Sequence, residues 1–130
     1  MHENDVYRQI GEPGIARVVA AFYRRVPHDE VLGPMYPADD LEGAEQRLRD
    51  FLIYRFGGPQ QYLEQRGHPR LRARHGRFAI DRRARDRWMT LMTEALAESE
   101  LPSDVEIAMR TFLDGIATFL VNRSEGGSRG

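Results

Sequence analysis

The residues best suited to chemistry crowd into one stretch, Gln65 to Ile80. There His68 and His75 stand among Arg66, Arg70, Arg72, Arg74 and Arg77, and the stretch closes on the apolar run Phe78-Ala79-Ile80. Gly67 and Pro69 stop a helix from running through His68. Leu71 to His75 can form one short turn that ends at Gly76, so that His75 projects from the end of a short helix. A neutral imidazole is a natural axial ligand for a haem iron, and guanidinium groups make charge-assisted, often bidentate bonds to carboxylates such as haem propionates. The plainer alternative is a hydrogen-bonded surface histidine beside solvated arginines, and the spacing alone does not choose between the two.

Three further side chains carry donors. Tyr23 falls on the apolar face of a helix, as a core tyrosine bonded to the backbone or as a donor into a cavity. Tyr36 sits in a corner between helices. Trp88, the only tryptophan, is a core anchor on packing grounds and a fixed indole N–H donor on chemical ones.

Helices must position these groups. A short helix over residues 5 to 10 is expected before Gly11-Glu12-Pro13-Gly14, a break whose proline can begin the next helix. Ile15, Val18, Val19, Phe22, Tyr23 and Val26 then recur at spacings of three and four, a single buried face. Pro27 to Pro37 reads as tight turns carrying Val31, Leu32, Met35 and Tyr36 inward. Asp39 or Asp40 can cap a second helix with the inner stripe Leu41, Ala44, Leu48, Phe51, Leu52 and Phe56, ended by Gly57-Gly58-Pro59. The aperiodic stretch from Pro59 to Gly76 is long for a compact domain, which favours a functional loop. Asp81 starts a third helix with Ala84, Trp88, Leu91, Met92, Ala95 and Leu96 inside and Arg82, Arg83, Asp86 and Arg87 outside. Ser103-Asp104-Val105-Glu106 reads as a capping box for a last helix with Val105, Met109, Phe112, Leu113, Ile116, Phe119 and Leu120 buried. No alternating run argues for a sheet, so the expected class is all-α, with one domain over 1–122 and a disordered tail over 123–130.

Composition narrows the function. At 130 residues the chain can bury a core and a cavity together. A net charge of −1 gives no global case for nucleic acid or an anionic membrane, because the basic charge is local to Arg66 through Arg87. The absence of cysteine excludes disulfides, thiolate nucleophiles, thiolate-ligated haem and cysteine-held iron–sulfur clusters. No apolar run is long enough to span a bilayer and Met1 to Asp5 lacks signal-peptide features, so a soluble, unexported, cytoplasmic protein is expected. All charged basic side chains are arginine and none is lysine, which fits either a GC-rich genome or, as a weak signal, heat-tolerant ion pairing.

Taken together, Phe22-Tyr23, Met35-Tyr36-Pro37 with Asp39 to Glu45, Gln65 to Ile80, and Asp86-Arg87-Trp88 resemble the group II truncated haemoglobins over about residues 5–122. The resemblance implies a two-over-two helical sandwich enclosing haem b, with a long irregular loop before the proximal histidine. It makes His75 the proximal iron ligand and Trp88, Tyr36 and Tyr23 the distal donors. Ala44 takes the place where many globins carry a distal histidine, and Leu48 lines the distal wall. Phe78 and Ile80 form the haem rim, and Tyr62, Arg66 and Arg74 contact the propionates. One departure is visible: the family often has a glycine pair at the first hinge, whereas Gly11 is followed here by Glu12-Pro13-Gly14.

The function implied is reversible binding of O2 at a histidine-ligated haem iron, with NO, CO, peroxide or sulfide as further ligands. The alternative is a redox enzyme acting in nitric oxide dioxygenation or peroxide reduction and served by a separate reductase, since the chain carries no fused flavin or nucleotide-binding segment. A haem-free helical interaction domain, with His75 and the arginines on an acidic partner, is the third. A homodimer is among the assemblies expected; a nucleic-acid partner is not.

Overall fold

The computed structural model describes residues 1–59 and 80–122. The short turn before His75 and the tail from residue 123 therefore lie outside the described residues. Helix α1 is Val6–Arg25, entered through a 3-10 turn at Glu3–Asp5. Gly11 interrupts it with φ 64° and ψ −175°, the left-handed region that side chains avoid. The expected break is thus confined to one residue. Pro13 falls in the first turn of the second piece, where a missing N–H leaves no helical carbonyl unpaired. The predicted face follows: Ile15, Val18, Val19, Phe22 and Val26 are fully buried and Tyr23 nearly so.

The corner after α1 holds 3-10 turns at Val26–His28 and Gly33–Met35, burying Leu32 and bringing Met35 and Tyr36 against the core. Helix α2, Leu41–Arg55, buries Ala44, Phe51 and Leu52, with Phe56 just past its end. Asp40 stands at its N-cap, yet the carboxylate makes no capping bond and instead accepts from Arg47 at 3.3 Å. At the other end Gly57 adopts φ 96°, and a Cβ there would come within 2.0 Å of the Asn4 carbonyl oxygen. Glycine is required at that point because the exit of α2 lies on the start of the chain, where Tyr7 N–H donates to Phe56 O at 3.0 Å.

Helix α3, Arg82–Glu98, opens as expected on Asp81, whose side chain accepts from Ala84 N at 2.9 Å. Helix α4 is Ser103–Phe119. Here the capping box does not form. Pro102 occupies the N-cap, so Ser103 is already inside the first turn, and Asp104 accepts from Val105 N at 2.9 Å. Phe119, expected inside, is 50% exposed, because the last turn of α4 outruns the core that Val105, Met109 and Leu113 fill.

Helix α1 packs on both α2 and α3, and α4 lies against α3. Phe22, Phe56, Leu52, Met92, Leu96 and Met109 meet in one buried cluster, each side chain contributing about 1.5–3 kcal/mol. Ion pairs of Arg24 and Arg25 with Glu98, and of Arg25 with Glu94, tie the ends of α1 and α3, and Arg85 with Asp114 ties α3 to α4. The carboxylate of each pair is exposed, and each pair adds little, about 0–1 kcal/mol. Among the described residues there is no strand, and no helix is long and apolar enough to cross a membrane.

Candidate functional site

Three elements deliver one aromatic side chain each to a common point: Tyr23 from the last turns of α1, Tyr36 from the corner, Trp88 from α3. The Tyr23 and Tyr36 rings lie 5.6 Å apart at 86°, and Phe22 packs edge-on to Tyr23 at 5.2 Å and against Trp88 at 5.3 Å. Trp88 Nε1–H donates to the Tyr36 hydroxyl oxygen at 3.2 Å. Burial pushes the Tyr36 phenol up to about 12, and hydrogen bonds from Trp88 and Tyr23 oppose that rise. Burial, with Tyr36 alongside, raises Tyr23 well above the ordinary phenol range. Both tyrosines are therefore neutral donors at physiological pH rather than bases.

The sense of these bonds matters. A hydroxyl has two acceptor lone pairs and one hydrogen. Accepting from Trp88 Nε1–H at 3.2 Å uses one lone pair of Tyr36 and leaves its hydrogen to donate elsewhere.

Helix α2 supplies the adjoining wall. Ala44 is buried in the same core cluster and Leu48 packs against it, while Tyr23 feels the charges of Arg47 and Glu45 on that helix. Ile80 is half-buried just before α3 and exchanges two hydrogen bonds with Asn122, its N–H donating to Oδ1 at 2.9 Å and its carbonyl accepting from Asn122 N at 2.8 Å. His75, Tyr62, Arg66, Arg74 and Phe78 lie outside the described residues. Of the other histidines, His2 and His28 are exposed. Among the described residues no cluster of histidine and carboxylate side chains is arranged to hold a metal ion.

Two residues escaped the sequence reading. Arg87, assigned to the solvent side of α3, reaches back to Asp29 in the corner, donating from Nε at 2.8 Å and from Nη2 at 2.5 Å to Oδ1. Asp29 Oδ2 accepts from Val31 N at 3.1 Å and Leu32 N at 2.9 Å. Burial pushes the Asp29 carboxyl up, but the Arg87 and backbone bonds outweigh it and hold the group below the usual carboxylate range. An aspartate followed by Val31 and Leu32 amides is a local turn signal; its distant arginine partner has no signature in one sequence.

Two open clefts lie away from the aromatic cluster or on its rim. The larger, about 730 Å³, runs between α3 and α4 along Arg85, Thr90, Glu94, Arg110 and Asp114, and shares no residue with the donor trio. The smaller, about 400 Å³, passes Val26, Asp29, Tyr36 and Leu41 on the outer side of the corner. The donors, not the clefts, define the candidate site.

A sequence profile of the bacterial-like globins matches residues 5–122. The chain belongs to the bacterial-like globin family. This globin is 35% identical over 126 residues to the group 2 truncated hemoglobin YjbI of Bacillus subtilis (strain 168), covering 97% of the chain and 95% of that protein. Its fold matches the crystal structure of the hemoglobin from the thermophilic phototrophic bacterium Chloroflexus aurantiacus with a TM-score of 0.87 and 43% identity, over 91% of this chain and 98% of that one. The group II truncated hemoglobin of Bacillus anthracis matches with a TM-score of 0.89 and 31% identity, over 95% of each chain. The expected all-α, two-over-two truncated globin fold is therefore the one adopted. Binding of haem, and through it of small diatomic ligands such as O2, comes with the family. The haem-free interaction domain falls away on the same ground.

Proposed function

We propose that this globin binds O2 reversibly at one haem b whose iron is held by His75, with Tyr36, Trp88 and Tyr23 as the distal group: Tyr36 donates its hydrogen to the bound ligand, and Trp88 and Tyr23 stand beside it. The observation that carries this proposal is the convergence of Tyr23, Tyr36 and Trp88, with Trp88 Nε1–H on the Tyr36 oxygen at 3.2 Å and the Tyr36 hydrogen left to donate. The described residues suit a haem at this point: donors on one side, and the small Ala44 and apolar Leu48 on α2 beside them. Ala44 cannot donate, so polarity on the ligand must be met by the indole and phenols.

The haem supplies the position where a diatomic ligand binds. Around it this chain divides the work: Trp88 orients Tyr36 through Nε1–H, Tyr23 packs edge-on to the Tyr36 ring, and Phe22 packs against Tyr23 and Trp88. His75 is the proximal ligand in this proposal because the resemblance to the group II truncated haemoglobins puts it there; His2 and His28, by contrast, are exposed. Ile80 and Phe78 form the rim, and Tyr62, Arg66 and Arg74 meet the propionates. One domain over 1–122, a cytoplasmic location and NO, CO, peroxide or sulfide as further ligands belong to the same proposal.

Nitric oxide dioxygenation or peroxide reduction, fed by a separate reductase, is the second reading. Contact of Tyr23 and Trp88 through Phe22, with ring centroids 5.2 and 5.3 Å apart, favours it by placing oxidisable side chains together. The test is to reduce the haem-loaded protein, add O2, and follow the visible spectrum. A stable oxy spectrum that decays only by slow release supports reversible binding; rapid conversion to the ferric state with stoichiometric nitrate on adding NO supports the enzyme.

A further inference from the structure

The geometry points to the Asp29–Arg87 pair as the device that positions the Trp88 indole and the Tyr36 hydroxyl against each other. The inference rests on the donor roles proposed above. Asp29 divides its carboxylate between two tasks. Oδ2 accepts from Val31 N and Leu32 N and so shapes the corner, while Oδ1 takes both Nε and Nη2 of Arg87 and so binds the corner to α3. Its side chain is 4% exposed, the only carboxylate among the described residues to be buried. The acids that pair with Arg24 and Arg25 are, by contrast, in solvent.

From Asp29 the corner runs to Tyr36 as a chain of closed turns. Gly33 N–H donates to Asp29 O at 2.9 Å, Met35 N–H to Leu32 O at 2.9 Å, and Tyr36 N–H to Gly33 O at 3.3 Å. Fixing Asp29 therefore fixes Tyr36. On α3, Arg87 immediately precedes Trp88, so the two side chains leave the helix about 100° apart: one grips the corner, the other enters the core. The Trp88–Tyr36 bond at 3.2 Å is a single neutral contact. The guanidinium–carboxylate contact is charge-assisted and two-pronged, about twice as strong, so it sets the separation at which the indole and phenol meet. Arg87 and Asp29 are positioning residues and need not touch haem or ligand.

The test uses haem-loaded, CO-bound ferrous protein. Trp88 is the only tryptophan, so its indole N–H gives one resonance whose hydrogen exchange reports the Trp88–Tyr36 bond. Arg87→Met keeps the aliphatic stem and removes the fork; Arg87→Lys keeps the charge; Arg24→Met removes an exposed pair as control. The expected result is indole exchange accelerated about tenfold in Arg87→Met, less in Arg87→Lys and not in Arg24→Met, while core amides of α4 such as Met109 are unchanged. Indole exchange within about twofold of wild type in Arg87→Met overturns the inference, as does acceleration shared equally by the α4 amides, which would be general destabilisation. O2 release measured in Arg87→Met and Trp88→Phe separates the underlying proposal. Accelerated exchange with O2 release unchanged in both keeps the clamp and removes the donors from ligand binding.

Discussion

Replacing Tyr36 by phenylalanine leaves the ring packing in place and removes the oxygen that accepts from Trp88. Trp88 Nε1–H then loses its acceptor at 3.2 Å. A buried donor left unpaired costs about 1–3 kcal/mol. Trp88 is only half-buried and its bond is long, so water recovers part of the loss and about 1 kcal/mol is expected there. The variant should therefore lose about 1 kcal/mol, the scale of one ordinary hydrogen bond. Urea unfolding at a fixed excess of haem, which holds the ligand contribution constant, gives the number. Run as a cycle with Trp88→Phe, the two substitutions should couple by about 1 kcal/mol, since once the acceptor is gone the donor has little left to lose. A cost below about 0.5 kcal/mol for Tyr36→Phe, or strict additivity in the cycle, would refute the view of Tyr36 as the acceptor of Trp88.

Trp88→Phe should retain haem and speed O2 release about fivefold, as expected for the loss of about 1 kcal/mol of hydrogen bonding at or beside the ligand; stopped-flow displacement of O2 by CO measures it, and an unchanged rate would reduce Trp88 to packing. The carboxyl of Asp29 titrates below its ordinary value in the folded protein, so its contribution is complete above the unfolded value of about 4 and is lost as pH falls through the lower folded value. Wild type should accordingly exceed Asp29→Asn in stability at neutral pH and converge on it in acid, seen in urea midpoints taken down to about pH 3; a constant gap would contradict the ion pair. Gly57→Ala should cost on the order of 3 kcal/mol, because φ 96° is strained for alanine and its Cβ would fall 2.0 Å from Asn4 O; thermal unfolding shows it, and a loss under about 1 kcal/mol would mean the contact relaxes freely.

Much of this fold was legible because helices advertise themselves by period. The spacing of Ile15, Val18, Val19 and Phe22, or of Leu91, Met92, Ala95 and Leu96, requires only a buried face, and every one of these residues is buried. Gly11 and Gly57 were readable as breaks since positive φ has few tenants. Helix ends were harder. Ser103 fitted a capping pattern, but Pro102 takes the N-cap and shifts the serine inside, a one-residue matter that pattern cannot resolve. Phe119 misled because periodicity marks a direction and not how far the core extends.

The donor trio was found through its residue types, with the resemblance joining three distant segments. What no single chain could disclose was pairing across α3 and the corner. Arg87 on a charged helical face looks like its neighbours Arg82 and Arg83, and only the fold brings it within 2.8 Å of a carboxylate far earlier in the chain. That Trp88 and Tyr36 meet was equally hidden, although once they do the sense of the bond is fixed, since an indole N–H only donates.

The central claim is that His75 holds the haem, and haemin titration followed by Soret absorbance tests it most directly, with wild type, His75→Ala and His68→Ala compared in the reduced state. Wild type and His68→Ala should saturate at about one haem per chain. His75→Ala should lose tight binding and the five-coordinate ferrous spectrum. A His75→Ala protein that binds haem as tightly as wild type, with the same spectrum, would contradict the claim.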